Sequence, residues 1–153
     1  MAAHARLSEG GIVPDAELSR FLSGVSGAGA VVSFTGLARP TSKGGAAVAE
    51  LFLDHYPGVT ERSLQGIADD GAARFSVSDV AVVHRCGSMR PGETIVFVAA
   101  ASLHRRAAFE AADYLMDRLK IEAVFWKRET GAEGVAWIEP TATDRADAGR
   151  WSR

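Results

Sequence analysis

The chain has 153 residues, of which 47% are hydrophobic and 24% charged, and its formal net charge is -2. These values are typical of one globular domain that is large enough to bury a core. The slightly negative charge excludes a broad basic field for non-specific nucleic-acid binding, so any basic site must be local.

The cysteine content and the length of the apolar runs indicate the cellular setting of the protein. Cys86 is the single cysteine, so an internal disulfide and a CxxC motif are both excluded, which is typical of a reducing, cytoplasmic setting. Residues 1–11 lack the apolar core of a signal peptide, and runs such as Ile95 to Ala101 are too short to span a membrane. We therefore expect no membrane association.

The first third of the chain predicts one short helix and one strand. Residues 1–11 are small and polar and are predicted to be disordered. Asp15 is a candidate cap for a helix that Gly24 ends. The β-branched and aromatic stretch from Gly29 to Arg39 predicts a buried strand, and residues 40–45 have the composition of a loop.

The middle of the chain predicts three strands around a helix. Strands are expected at 47–56, 77–84 and 94–101, with a helix from about Thr60 to Arg74. Gly87, Pro91 and Gly92 lie in the connection between the last two strands, which predicts a turn.

A long helix is predicted from Ser102 to Lys120, with Ser102 as its N-cap. A strand at 123–129, a turn at 131–134 and a strand at 135–139 follow, and residues 141–153 form a polar tail. The helix has a solvated face opposite an apolar one that consists of Ala108, Ala112, Leu115, Met116 and Leu119. These elements predict an α+β fold with antiparallel strands and two main helices, in one domain that spans residues 12–140.

Basic residues lie at the ends of these last elements. His104 and Arg105 are placed in the first turn of the long helix, where free N–H groups and the helix dipole favour a phosphate. Lys120 ends the helix and Lys127 lies on the next strand. Each residue alone is explained by solvation or by the dipole, so only the group indicates an anion site.

Several motifs together carry a family resemblance. They are Phe34-Thr35-Gly36 with Arg39, LDHYPGVTE, VVHRCGSMRPGE, SLHRRAAFEAADYLMDRLK, FWKRE and Trp137. In this order and spacing, the chain resembles the large, catalytic subunit of molybdopterin synthase. Family members often carry a basic residue and a valine where this chain has Leu37 and Ala38, and Pro40 is unusual after the arginine.

The resemblance implies an α/β-hammerhead type of α+β fold, a homodimer and a ubiquitin-like sulfur-carrier subunit on each protomer. The implied reaction converts cyclic pyranopterin monophosphate into molybdopterin with sulfur from a carrier thiocarboxylate, and it requires no cofactor in this subunit. Lys120 and Lys127 are the implied catalytic residues. The implied substrate-binding residues are Leu37, Ala38, Arg39, His104, Arg105, Lys120, Lys127, Arg128 and Glu129.

The residue types fit this chemistry. Arginine binds phosphate in a fork, and a lysine with a lowered pKa serves as acid or base or stabilises an oxyanion. On a strand, Lys127 and Glu129 share one face and Arg128 the other, so Glu129 is a candidate to orient the lysine. His55 and His84 have no partner at metal-ligand spacing, which predicts structural roles and no metal.

Two other functions fit parts of the sequence. One is a non-catalytic scaffold that binds the ubiquitin-like carrier, against which the intact Lys120 and Lys127 argue. The other is an RNA-binding domain that uses the basic cluster and exposed aromatic residues. The net negative charge and the lack of an RNP-like motif argue against it.

Overall fold

The protein folds into two four-stranded sheets with helices packed on the first of them. The computed structural model describes residues 2–132 and 134–152. Residues 1, 133 and 153, which belong to the predicted N-terminus, turn and tail, lie outside the described residues. The first sheet consists, in spatial order, of β1 (Ala2–Ser8), β4 (Asp79–Arg85), β6 (Thr94–Ser102) and β2 (Ala30–Leu37). The second consists of β5 (Gly87–Met89), β3 (Val48–His55), β7 (Phe125–Gly131) and β8 (Gly134–Ile138).

Two long helices and two short ones accompany the sheets. They are α1 (Pro14–Gly24), α2 (Val59–Phe75), α3 (Arg105–Glu122) and α4 (Ala142–Gly149), and a 3-10 turn at Arg150–Ser152 follows α4. This content confirms the predicted α+β class, with α2 and α3 as the main helices. Among the described residues, no helix has the length and apolar character required to cross a membrane.

The main core lies between the first sheet and the pair α2 and α3. Strand β6 is central, and its apolar residues point both ways: Val96 and Val98 face the long helices, while Phe97 faces α1. Gly71 of α2 meets Leu115 of α3, and a Cβ at that glycine would lie 2.7 Å from the leucine side chain. The missing side chain therefore allows the two helices to approach closely.

A short turn connects α3 to β7 of the second sheet. The Thr60 hydroxyl of α2 donates to the Val124 carbonyl at 2.7 Å, and the Val124 N–H donates to the Ser63 hydroxyl at 3.3 Å. Thr60 is fully buried. These bonds fix the exit of α3 and the start of β7 against α2, and both elements carry candidate site residues.

The prediction of disorder at the N-terminus is wrong for residues 2–8. They form β1, which pairs in parallel with β4 from Ala2 opposite Asp79 onward. Ala3, Ala5 and Leu7 pack on the main core in the alternation of a half-buried strand. Gln65 of α2 accepts from the Ala5 N–H and donates to the Ala3 carbonyl. This side chain satisfies backbone groups of β1.

The polar tail folds back on the long helices. Trp151 lies edge-on to Phe75 and Tyr114, with ring centroids 5.4 Å away in both pairs, and its indole N–H donates to Asp117. Arg150 also binds Asp117. The tail therefore covers part of the α3 face that the sequence predicts to be solvated.

Two further predicted boundaries differ from the structure. The connection at residues 85–93 is not only a turn, because β5 pairs there with β3. Ser102 does not cap α3: it is the last residue of β6, its hydroxyl donates to the His104 carbonyl, and His104 occupies the N-cap position. Because the backbone at His104 is extended, the helix begins at Arg105.

Candidate active site

A cleft of about 480 Å³ opens where the two sheets meet the C-terminal end of α3. The end of β2, strand β7 and the start of α4 form its other walls. Part of the lining, here called the floor, is apolar and includes Ile95, Met116 and Leu119, whereas four basic and three acidic side chains form the charged part. The charged residues that line the cleft are Arg39, Lys43, Lys120, Lys127, Glu129, Glu139 and Asp144.

Lys127 occupies the most unusual electrostatic position in the cleft. Burial, followed by the repulsion of the nearby Lys120 ammonium, lowers the pKa of Lys127 to about 8. Arg39 acts in the same direction, and Asp144 opposes it. A lysine in this state exchanges its proton near neutral pH, as an acid or base catalyst requires.

Asp144 is fixed at the rim by the start of α4. The Thr141 hydroxyl accepts from the Asp144 N–H and the Asp144 carboxylate accepts from the Thr141 N–H, both at 2.9 Å. This is a capping box, which fixes the geometry of the helix start. Burial raises the pKa of Asp144, but the bonds to Thr141 and the attraction of Lys120 and Lys127 exceed it and lower that pKa.

His84 forms part of the cleft wall as a neutral imidazole. It stacks on Phe125 with ring centroids 4.3 Å apart, and its Nδ1 lies 2.8 Å from the Arg85 carbonyl. Burial, with the nearby lysines, lowers the pKa of His84 to about 4. Because Nδ1 donates to that carbonyl, Nε2 is left as an acceptor.

Five of the predicted site residues line this cleft: Leu37, Arg39, Lys120, Lys127 and Glu129. The predicted alternation on β7 is confirmed, since Lys127 and Glu129 share the cleft face. The role of Glu129 in orienting Lys127 stays a prediction, since the salt bridges among the described residues include none to the Lys127 ammonium.

Two predicted residues do not line the cleft. Ala38 is buried in a small core with Leu53 and Met89, and its backbone binds the chain at residues 92 and 93. Arg128 lies on the opposite face of β7, where its guanidinium stacks 4.7 Å from the Phe52 ring centre. Ala38 therefore packs in a core and Arg128 packs on an aromatic ring, so neither side chain lines the cleft.

His104 and Arg105 are also absent from the cleft within one chain. They lie at the start of α3, whereas Lys120 lies near its end, and the helix between Arg105 and Lys120 is about 22 Å long. Arg105 instead lines a shallow depression with Phe109 and Asp113. Within one chain, Arg39 therefore does not share a cleft with His104 and Arg105, and the prediction that the three converge across a pair of protomers stays a prediction.

The comparisons with known proteins agree on one family. Residues 9–122 match the family model described as MoaE protein. The chain belongs to the MoaE protein family. It is 54% identical to the molybdopterin synthase catalytic subunit of Caulobacter vibrioides, over 92% of this chain and 91% of that one.

Solved structures give the same result for the fold. A molybdopterin biosynthesis MoaE protein from Burkholderia ambifaria superposes with a TM-score of 0.83 at 37% identity, and 99% of each chain is covered. Molybdopterin synthase from Staphylococcus aureus superposes with a TM-score of 0.78 at 27% identity, covering 86% of this chain and 94% of that one. This MoaE-family fold therefore includes the elements that form the cleft.

Asp144 and His84 are among the cleft residues that reasoning from the sequence missed. Asp144 lies in the tail, and the only signal for it was the Thr141-x-x-Asp144 spacing of a capping box. His84 was assigned a structural role because it has no metal-ligand partner in the sequence. Its position in the cleft wall depends on the pairing of β4 and β6, which no local pattern indicates.

Proposed function

We propose that this chain is the catalytic subunit of a molybdopterin synthase. It converts cyclic pyranopterin monophosphate into molybdopterin, with sulfur from the thiocarboxylate terminus of a ubiquitin-like carrier. The observation that carries the proposal is the cleft with its four basic residues, in which a lysine of lowered pKa, Lys127, lies beside Lys120 in a member of the MoaE family.

The charges of the cleft fit both anionic reactants. Arg39 and Lys43 supply cations for the cyclic phosphate, and the apolar floor supplies a surface for the pterin rings. The carrier terminus is a flexible strand that ends in an anion, and Lys120 and Lys127 provide its cationic end-point. Such positioning supplies much of the rate in a transfer between two bound partners.

The two lysines divide the chemistry according to their surroundings. Once the carrier's sulfur is bonded to the pterin, water attacks the acyl carbon and negative charge develops on the acyl oxygen. The acyl C–S bond then breaks, which leaves the sulfur on the pterin and releases the carrier as a carboxylate. Lys120 stabilises that oxyanion as an ammonium. Lys127, with a pKa of about 8, holds and releases the proton that the attacking water loses.

His104 and Arg105 enter this scheme through a second copy of the chain. Leu103 and Phe109, which flank them, are exposed by 67% and 58%, as expected of a surface that another subunit covers. In a homodimer, the start of α3 of one protomer then supplies phosphate-binding groups to the cleft of its partner. The family resemblance implies the same homodimer, and the single cysteine is typical of a cytoplasmic location.

Single-turnover conversion of cyclic pyranopterin monophosphate with preformed thiocarboxylated carrier tests the proposal. We expect Lys120→Ala and Lys127→Ala each to lower the rate at least about 100-fold, because each removes a group that acts on developing charge. The fold and the oligomeric state should not change. Arginine should rescue poorly at either position, since it does not release its proton.

Arg62→Ala is the matched control, because it removes a similar charge from the exposed surface of α2, away from the start of α3. It should keep a near-normal rate. Near-normal rates for both lysine variants would refute the catalytic assignment. A wild-type chain that binds the carrier without forming the dithiolene would instead support the scaffold function.

A further inference from the structure

A group of possible metal ligands lies outside the cleft. The donor atoms of Glu9, His55 and Cys86 all lie within 4.8 Å of one another. The three residues are distant in the sequence, which is why the spacing of the histidines predicted no metal. They come from the loop after β1, the end of β3 and the link between β4 and β5.

The backbone holds the three segments together. The Cys86 N–H donates to the Ser8 carbonyl at 2.9 Å, so the loop that carries Glu9 begins beside the cysteine. His55 pairs with Phe125 in the second sheet. The side chains therefore approach one another from elements of both sheets, whose positions are fixed by strand pairing.

The donor set has a clear chemical preference. A thiolate, an imidazole and a carboxylate are the three ligand types that zinc accepts, and bonds of about 2.0–2.3 Å in a tetrahedron separate ligand atoms by about 3.3–3.8 Å. The donor atoms of this group lie within 4.8 Å of one another, which is close to that spacing. Glu9 is exposed and can close the difference by a change of rotamer.

The three candidate ligands differ in their exposure to solvent. Cys86 is 1% exposed and His55 is half-buried, whereas Glu9 is open to solvent. A divalent cation bound here displaces the thiol proton to water and offsets the charges of the thiolate and of the Glu9 carboxylate.

We propose that Glu9, His55 and Cys86 form a zinc-binding site that joins the two sheets. Three protein ligands leave the fourth position to water, on the exposed side of Glu9. The site has no part in the proposed sulfur transfer. Its effect is on stability, since a ligand that binds the folded state alone raises the melting temperature.

Titration of the full chain with Co²⁺, in the presence of a phosphine reductant, tests the site. We expect one equivalent to bind with a thiolate-to-cobalt charge-transfer band, and Zn²⁺ to displace it and raise the melting temperature. Cys86→Ala should abolish the band, and His55→Ala and Glu9→Gln should each weaken binding at least about tenfold. His4→Ala, which removes an exposed histidine from β1, is the matched control and should bind normally.

Other outcomes would overturn the assignment. The absence of a band in the folded wild-type chain would exclude the site, and a band that persists in Cys86→Ala would place the metal elsewhere. Unchanged affinity in both His55→Ala and Glu9→Gln would show a thiol that binds cobalt alone. Glu9→Gln alters only an exposed side chain, so this arm does not depend on the folding of the cysteine variant.

Discussion

Lys127 shows how neighbouring residues set the chemistry of one side chain. Burial and the Lys120 ammonium lower its pKa to about 8, while the Asp144 carboxylate acts in the opposite direction. Removal of either neighbour must therefore shift the titration in a known direction. Lys120→Ala removes a like charge and should raise the pKa of Lys127, whereas Asp144→Asn removes an opposite charge and should lower it.

An NMR titration of the lysine side chains, labelled with ¹³C at Cε, measures these shifts directly. Glu129→Gln serves as the control, because Glu129 lies on the same strand face without an ion pair to Lys127. It should move the pKa less than Asp144→Asn does. A wild-type Lys127 that titrates near the ordinary value of 10.5 would contradict the electrostatic account of the cleft.

The candidate site was predictable from the sequence where local periodicity decides the outcome. The alternation of a strand separated Lys127 and Glu129 from Arg128, although the resemblance assigned all three to the substrate. The alternation did not predict that the carboxylate acting on Lys127 would be that of Asp144 rather than that of Glu129. That difference depends on the tail folding back over the cleft, and tertiary contacts of this kind leave no periodic signal.

At the scale of elements, the turn between α3 and β7 determines whether the two lysines meet. Thr60 anchors this turn: its hydroxyl donates to the Val124 carbonyl and accepts from the Tyr56 N–H at 2.9 Å. Thr60→Val keeps the volume but removes the hydrogen-bond partner of both part-buried backbone groups. We expect a loss of about 1–3 kcal/mol in the free energy of unfolding and a slower sulfur transfer.

Urea denaturation and the single-turnover assay measure the two effects of Thr60→Val separately. Ser19→Ala, on the exposed surface of α1, is a suitable control and should change neither quantity. If Thr60→Val were as stable and as active as the wild type, the turn would not depend on this hydroxyl.

The sequence predicted the elements that have strong periodicity and missed those that depend on partners. Helix α3 and the strands around it follow their apolar patterns, and their existence is confirmed. Strand β1 was missed because its core-facing residues include two alanines, whose small side chains give a weak alternation. Its order comes from the open edge of β4 and from Gln65, which lie far away in the sequence.

At the scale of the whole molecule, the cationic groups form two separate sites. The cleft collects Arg39, Lys120 and Lys127, whereas Arg105 lies at the other end of α3, about 22 Å from Lys120. One chain therefore cannot bring all of these groups to a single phosphate. The proposed symmetric dimer would do so if its two-fold axis placed the start of one α3 opposite the cleft of the partner.

This arrangement makes a quantitative prediction for mixed dimers. Arg105→Ala and Lys120→Ala should each be nearly inactive alone. If the two variants are unfolded together and refolded in equal amounts, half of the dimers carry one copy of each. Each mixed dimer then has one cleft with both Lys120 and the partner's Arg105 intact, so about a quarter of the wild-type sites are restored.

Single-turnover amplitude is the appropriate measurement, because it counts intact sites rather than averaging their rates. A mixture of Lys120→Ala and Lys127→Ala is the control: both residues belong to the same cleft, so the mixed dimers should contain no intact site and recover nothing. Recovery in the control would reveal exchange artefacts. No recovery in the Arg105→Ala and Lys120→Ala mixture, with mixed dimers verified by mass spectrometry, would mean that Arg105 acts outside the cleft or not at all.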